Sequence, residues 1–330
     1  MRVSDNANFH TVRDSINRSR SRMQDYQMRG ATQKKLNVPS DNPIGAAKIL
    51  EVRTDKVINE QLQTNGKLAE AFLNNSDHVL AELSEIMVRA KEIALSQASE
   101  ASSNPGSRLG VAEEVKQLYE QAVSLANQRV GDRYLFAGYK TNAPPVSPEG
   151  DYEGDWGKIM VEIGRDVYIN SNLPGVEAFN TRPEISRDAR KYYEKTGDGP
   201  YSEQVGNGDP DIQAYEGPEN VNAFELLGAL RTSLLSGDTS GVRNTIDDLS
   251  EMHSHLVTMR SKVGSRIRGI QSAINTMERH DITSAQLTTR IEDADMIDVM
   301  NNLAKEEIVF RNALQSSKRL VQPTLMDFLG

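Results

Sequence analysis

Two short runs of this sequence hold side chains whose types and spacing could bind a metal ion. His253 and His255 lie two residues apart, and Glu292, Asp293 and Asp295 supply three carboxylates within four residues. On a helix, however, residues two apart point to different faces, and His253 falls on an apolar seam. The acidic run lacks the ligand spacing and central glycine of an EF-hand calcium loop, and acidic residues are favoured at helix N-termini. We therefore predict no metal site in either run.

Motifs for covalent or cofactor chemistry are also missing from the sequence. There is no P-loop, no glycine-rich dinucleotide loop after a strand and no nucleophile elbow. The chain has no cysteine, which excludes thiol catalysis and thiolate metal sites. An enzyme site in residues 141–220 is conceivable, with Trp156 and several tyrosines lining a pocket, but these side chains are better interpreted as the core of a small domain. We predict no enzyme activity and no cofactor.

The first 35 residues are basic, with eight Lys and Arg against three Asp. The run Arg18-Ser-Arg-Ser-Arg22 invites an RNA-binding or targeting interpretation, which salt-sensitive binding would support. The solvated face of an amphipathic helix is favoured instead, because apolar residues repeat at helical spacing, and the net charge of −9 argues against a general nucleic-acid binder. That seam holds Phe9, Val12, Ile16, Ser19, Met23 and Tyr26. We predict no nucleic-acid partner.

The sequence also lacks the signals of a membrane protein or of a cleaved leader. Residues 1–21 carry arginines but no continuous apolar region of the kind found in signal peptides. No stretch approaches the roughly 18 apolar residues of a membrane span. We therefore predict no membrane contact, and any export would use a route without a cleaved signal peptide.

Hydrophobic periodicity predicts the elements that organise the chain. Every seventh residue from Leu249 to Met277 is apolar, which indicates a helix of heptads from about Val242 to Ser284. A second segment, about 46–98, repeats apolar residues at steps of three and four. A long helix with a narrow apolar seam needs a partner seam. The predicted fold class is mainly α: a long antiparallel helical coiled-coil rod built from both chain ends, with a small β-rich inserted domain.

The inserted domain is indicated by a change of composition after Tyr139. Residues 141–220 hold 8 of the 12 prolines and 16 acidic against 7 basic side chains. Within them, two short β-rich runs flank the turn Gly164-Arg-Asp166, which predicts a hairpin. We therefore predict three parts. They are terminal inner-core helices in 1–42 and 289–330, a helical rod domain in 43–140 and 221–288, and a β-rich outer inserted domain in 141–220.

Proline and capping residues predict where the terminal helices begin and end. The run Pro39-Ser40-Asp41-Asn42-Pro43 interrupts the helical pattern, and Asn42 can cap a new helix that has Pro43 at its first position. Thr289 to Glu292 fits a capping box, which predicts the start of the last helix there, and Pro323 is predicted to end it.

Several of these motifs resemble one family, the flagellin-like axial proteins of bacterial flagella. The similar stretches are Arg2-Val3-Ser4, the Lys34–Pro43 break, Gly131–Thr141, Asp151–Pro174, Glu292–Asp295 and Thr324–Leu329. Two motifs resemble the hook–filament junction proteins of that family more than flagellin. They comprise Pro39, Ser40, Asp41, Asn42 and Pro43, and Arg133, Tyr134, Phe136 and Gly138. The chain departs from the family at Gln33, where a glycine is usual, and by its additional Gly330.

The resemblance implies a structural subunit of the flagellum, extracellular and exported by the flagellar type III apparatus. Its terminal helices would form the inner coiled-coil layer of a tube, with the inserted domain facing outward. Subunits would form a ring on the flagellar helical lattice that adapts the hook to the filament. The implied partners are copies of the chain itself, the hook-side junction protein FlgK, flagellin and a flagellar export chaperone.

A lattice of this kind needs apolar seams on the terminal helices that a single chain leaves unfilled. The predicted subunit-interface residues are Val12, Ile16, Met23, Phe310, Leu314 and Val321; ordinary intramolecular core is the alternative for them. Two alternative functions stay open: flagellin, the major filament subunit, and a cytoplasmic coiled-coil scaffold protein. The scaffold interpretation explains the heptads but neither the β-rich insertion nor the paired amphipathic ends.

Overall fold

A computed structural model of the chain describes residues 2–98, 105–181 and 221–329. Within these ranges, the side chains of residues 2–9, 105, 107 and 318–329 lie outside the description. The chain divides into two compact units: unit 1 comprises Met1–Glu60 and Met277–Gly330, and unit 2 comprises Gln61–Thr276. The two long helices each contribute residues to both units.

The described residues are mainly helical, which confirms the predicted fold class. The helices are α1 (Arg2–Thr32), α2 (Pro43–Gln97), α3 (Pro105–Ala126), α4 (Gly175–Phe179), α5 (Ala223–Ser236), α6 (Thr239–Glu292) and α7 (Met296–Leu329). Two antiparallel two-stranded sheets pair β1 (Arg129–Val130) with β2 (Arg133–Tyr134) and β3 (Met160–Gly164) with β4 (Val167–Asn170). The predicted hairpin is therefore present, and its turn has Asp166 at a φ of 59°.

The heptad seam of α6 forms the core of unit 2 together with α2. Leu249, Leu256, Val263 and Ile270 are all fully buried, as the seven-residue spacing predicts. Polar pairs beside the seam join the two helices in antiparallel order: Asp77 Oδ1 lies 3.1 Å from Arg260 Nε, and Glu70 Oε1 accepts from Gln271 Nε2 at 2.8 Å. The partner seam that the pattern required is thus supplied by the other end of the same chain.

Residues 135–138 of the second family motif enter the core of unit 2. The Phe136 ring is fully buried and packs on the Phe179 ring, 5.1 Å between centroids, and Phe179 in turn packs edge-on against Phe224 at 5.2 Å. Gly138 has a φ of 72°, and a Cβ there would lie 2.5 Å from the carbonyl oxygen of Asp155. Only glycine fits such a close approach in the left-handed region.

Residues 141–181 of the predicted inserted domain pack against helices of unit 2. Asn127 of the α3–β1 connection exchanges two hydrogen bonds with the backbone of Val146, and Arg266 of α6 donates to the carbonyl of Asn172 at 3.0 Å. Residues 182–220 lie outside the described residues. The three-part domain division therefore stays a prediction.

The two neighbouring histidines of α6, His253 and His255, both form hydrogen bonds. His253 Nδ1 lies 2.9 Å from Ser84 Oγ, between α6 and α2. His255 Nε2 donates to the carbonyl of Glu177 in α4 at 2.8 Å, and burial lowers the pKa of this imidazole. Among the described residues, no group of three or more metal-ligating side chains is placed to hold an ion.

The first predicted helix boundary is confirmed and the other two are wrong. The side chain of Asn42 accepts from the Gly45 amide at 2.9 Å, so α2 begins at Pro43 as expected. Thr289–Glu292, by contrast, is the last turn of α6, not a capping box. The Glu292 carboxylate is held by basic side chains and is not available to the backbone at Thr289. The last helix also continues past Pro323, where it was predicted to end, to Leu329.

α7 begins after Asp295, which lies outside the predicted capping box. Asp295 Oδ1 accepts from the amides of Ile297 at 2.9 Å and Asp298 at 3.4 Å, which makes Asp295 the N-cap. The predicted helix-start role of the acidic residues therefore holds for Asp295, and also for Asp298 in the first turn of α7, whereas Glu292 forms ion pairs.

The departure from the family at Gln33 falls where α1 stops. α1 ends at Thr32, and Gln33 has a φ of 60°, in the region that glycine adopts without steric cost. We expect Gln33→Gly to raise the free energy of unfolding of unit 1 by about 0.5–1 kcal/mol, because a side chain in this conformation costs roughly 1–2 kcal/mol and glycine gives back part of that gain as chain entropy.

The matched control is Gln27→Gly in the exposed interior of α1, which should destabilise by about 0.5–1 kcal/mol because glycine is a poor helix former. Urea denaturation followed by circular dichroism distinguishes the two variants. Equal losses of stability in both would contradict the left-handed assignment of Gln33.

Candidate subunit interface

The terminal helices α1 and α7 of unit 1 pack on each other along one seam. On α1, the inward positions alternate at steps of four and three; they are Val12, Ile16, Ser19, Met23 and Tyr26. On α7, the inward positions follow the same heptad steps and are Val299, Leu303, Glu306, Phe310 and Ala313. The pairing is antiparallel, because Ser19 bonds Glu306 while Gly30 lies against Val299. Each helix therefore fills the seam of the other.

Four of the six predicted interface residues lie on this intramolecular seam. Val12, Ile16, Met23 and Phe310 are half-buried there. Leu314 lies at the side of the seam and is 41% exposed. Val321 belongs to α7, but its side chain lies outside the described residues. Their role between subunits stays a prediction, and the structure shows that four of them already have contacts within the chain.

A polar layer interrupts the apolar seam at its middle. Ser19 is 5% exposed and its hydroxyl donates to Glu306 Oε2 at 3.2 Å. Arg22 Nη1 lies 3.5 Å from the other carboxylate oxygen, and the Glu306 side chain is 13% exposed. A single polar pair inside an apolar seam disfavours shifted registers, because a shift would leave the carboxylate buried against apolar side chains.

The face of α7 away from this seam carries a second apolar stripe that the sequence analysis missed. Ile297 is 75% exposed, Met300 53% and Ile308 60%. With Ala304 they follow helical steps of three, four and four, so the signal was present in the sequence. It was missed because a helix that is apolar on two faces shows no single periodic seam. We call these four residues the outer α7 stripe.

The first turns of α2 carry exposed apolar side chains as well. Leu50 and Val57, seven residues apart, are 67% and 65% exposed on the face away from buried Ile49 and Val52. Ile44, in the first turn, is 84% exposed. Leu50 and Val57 together make this face of α2 a candidate contact surface.

Unit 1 therefore exposes more large apolar side chains than it buries. Among its described residues, the buried hydrophobic side chains are Ile49, Val52, Met277 and Val299, whereas 13 large ones are exposed. Unit 2 has the opposite balance, with a continuous buried core. Much of the apolar surface of unit 1 is therefore exposed and available for contact with other molecules.

The connection that follows α1 contacts the connection that precedes α7, and we call this contact the terminal clasp. The segment Gln33–Lys35 pairs through backbone hydrogen bonds with Glu292–Ala294, which comprises the last residue of α6 and the two residues after it. The Lys35 amide donates to the Glu292 carbonyl at 2.8 Å, and the Ala294 amide donates to the Gln33 carbonyl at 2.9 Å.

Glu292 is the charged centre of the terminal clasp. Its Oε1 atom lies 2.5 Å from Lys34 Nζ and 2.8 Å from Arg53 Nη2, while only 9% of its side chain is exposed. The hydrogen bond from Lys34, followed by that from Arg53, lowers the pKa of this carboxyl against the opposing effect of desolvation. Sequence reasoning did not identify Glu292 as a charged centre, because its partners are about 240 and 260 residues away.

None of the helices in the described part of the chain combines the length and the apolar character needed to cross a bilayer.

A protein-family model matches the N-terminal part of the chain. Residues 3–141 match the family model described as the bacterial flagellin N-terminal helical region. This region contains α1, α2, α3 and both junction-type motifs. The resemblance to flagellin-like proteins that the motifs indicated is therefore confirmed.

Over nearly its whole length, the chain is similar to hook-associated proteins. It is 24% identical to flagellar hook-associated protein 3 of Escherichia coli K12 over 96% of this chain and 95% of the relative. It is 23% identical to the protein of the same name from Salmonella typhimurium, with the same coverage.

Solved structures share the fold. The flagellar hook-associated protein 3 of Legionella pneumophila matches with a TM-score of 0.57 and 14% identity, over 74% of this chain and 98% of that one. FlgL of Bacillus cereus matches with a TM-score of 0.54 and 14% identity, over 72% and 99%.

Proposed function

We propose that this chain is a structural subunit of the bacterial flagellum that forms the junction ring between hook and filament. Support comes from the flagellin-type N-terminal region, from full-length similarity to two hook-associated proteins, and from the shared fold. The work of such a subunit is mechanical, since it joins a flexible hook to a stiffer filament, and it involves no catalysis.

The observation that carries this proposal is the excess of exposed apolar surface on unit 1. The outer α7 stripe and the exposed residues of α2 lie on different faces of different helices. Two different patches on one chain allow head-to-tail contact, which generates rings or helical lattices, whereas one self-complementary patch closes a dimer. The α1–α7 pair would form the inner layer, and the predicted residues Leu314 and Val321 would extend the contact along α7.

The partners in this proposal are neighbouring copies of the chain, FlgK on the hook side and flagellin on the filament side. A flagellar export chaperone would hold the chain before its passage through the type III apparatus, and the assembled subunit would be extracellular. Residues 141–220 would face outward, with the terminal segments 1–42 and 289–330 inside and 43–140 with 221–288 between them.

Deletion of the gene in its motile host tests the proposal. We expect bare hooks in electron micrographs and flagellin monomers in the culture medium, because only the adaptor is missing. Absence of both filaments and secreted flagellin would indicate the major filament subunit or an upstream component instead. Normal filaments and motility would contradict a flagellar role and favour the coiled-coil scaffold.

A further inference from the structure

The terminal helix pair has few apolar contacts to hold it in place. On the described parts of α1 and α7, Ser19 and Val299 are the buried residues. Both helices end at the terminal clasp, which joins Gln33–Lys35 to Glu292–Ala294. The clasp is the place where the position of the pair relative to the start of α2 is determined, because the chain between α1 and α2 is only ten residues long.

We infer that Glu292 is the positioning residue of the terminal helices: one carboxylate, bound by Lys34 and Arg53 together, fixes the α1–α7 pair to the first turns of α2. Lys34 follows α1, Arg53 belongs to α2, and Glu292 ends α6 immediately before α7. The connection after α1, the first turns of α2 and the distant end of α6 therefore meet at one oxygen atom.

Two charged residues next to this contact in sequence are engaged differently. Lys35 is engaged elsewhere, since its ammonium donates to the carbonyl of Arg290 at 2.6 Å. Asp293 is exposed and takes part in the clasp through its backbone pairing with Lys34. The Glu292 side chain is nearly enclosed, whereas the side chains of Lys34 and Arg53 are 43% and 59% exposed. Loss of the charge on Glu292 therefore removes the shared contact, and both cations become hydrated by solvent.

If the proposed function is correct, the α1–α7 pair must be correctly placed before subunits can assemble, and only this consequence rests on the proposed function. The test itself uses the isolated full-length chain and is independent of the flagellum. The chain has no cysteine, so spin labels at Gln24→Cys on α1 and Ala47→Cys on α2 report one distance within unit 1 without background labelling. Both positions are exposed.

At pH 7 we expect a single narrow distance distribution for the parent chain and loss of that peak in Glu292→Gln. Proteolysis within α1 should become about tenfold faster, the factor that corresponds to losing one charge-assisted hydrogen bond. Glu278→Gln, which alters an exposed glutamate of the same helix, is the matched control and should keep the narrow peak. Retention of the peak in Glu292→Gln would overturn the inference.

A double-mutant cycle distinguishes positioning through the shared carboxylate from general loss of structure. Lys34→Met should broaden the distribution in the parent chain and have no further effect in Glu292→Gln, because the interaction is already gone. Additive effects of the two changes would contradict the shared contact.

Acidification provides the second independent measurement. Because the fold lowers the pKa of Glu292, its contribution is complete above the ordinary pKa of 4.5 and is lost as the pH falls through the lower folded-state value. The peak of the parent chain should therefore broaden below about pH 4.5, and the acid-induced change should be smaller in Glu292→Gln. An identical pH profile in both chains would count against Glu292.

Discussion

Aspartate at Ile308 is expected to abolish incorporation of the chain into flagella while leaving the chain folded. Ile308 is 60% exposed on the outer α7 stripe, so the new carboxylate stays hydrated in an isolated chain. In a subunit contact it would be buried without a partner, which costs several kcal/mol. Complementation of the deletion strain, followed by motility assays and electron microscopy, measures the effect. Circular dichroism of the purified variant should match the parent chain.

Ser316→Asp is the matched control for that prediction. Ser316 is exposed on the same helix but off the stripe, so the same charge should be tolerated. Filaments of normal number with Ile308→Asp would contradict a role of the outer α7 stripe in assembly. Ile16→Asp should give a different result, because Ile16 is half-buried on the α1–α7 seam and its replacement should separate these helices as well.

Truncation of Phe136 to alanine is expected to lower the free energy of unfolding of unit 2 by about 3–5 kcal/mol, the range measured for buried phenylalanines. The ring is fully buried and its centroid lies 5.1 Å from that of Phe179, so its removal leaves a cavity and removes one of the two ring contacts of Phe179. Urea denaturation followed by near-ultraviolet circular dichroism checks the prediction.

Tyr139→Ala, immediately after the motif, provides the comparison. Tyr139 is 63% exposed and donates one hydrogen bond to the carbonyl of Lys158, so we expect a loss of about 1 kcal/mol or less. If Phe136→Ala were as mild as Tyr139→Ala, the aromatic cluster would not be the centre of the unit 2 core. The expected difference would assign Phe136 of the junction-type motif to folding and not to direct contact with a partner.

Features that depend on neighbours along the chain could be predicted from the sequence. The seven-residue spacing from Leu249 to Ile270 specified the buried face of α6, because a helix with such a seam must cover it. Asn42 before Pro43 specified the start of α2, since the cap bonds an amide only three residues away. The hairpin turn at Gly164–Asp166 followed in the same way from its own residues.

Features that depend on partners far away in sequence were decided by the tertiary structure alone. The sequence Thr289–Glu292 matches a capping box, but in the structure the Glu292 carboxylate pairs with Lys34 and Arg53. Asp295 is the N-cap of α7 instead. Whether Val12 and Phe310 face a neighbouring copy or their own chain depends on how α1 and α7 pair, and periodicity is the same in both cases. The sequence by itself thus determined which faces of its helices are apolar; only the tertiary structure decided which are already covered, because coverage depends on the long-range approach of the two chain ends.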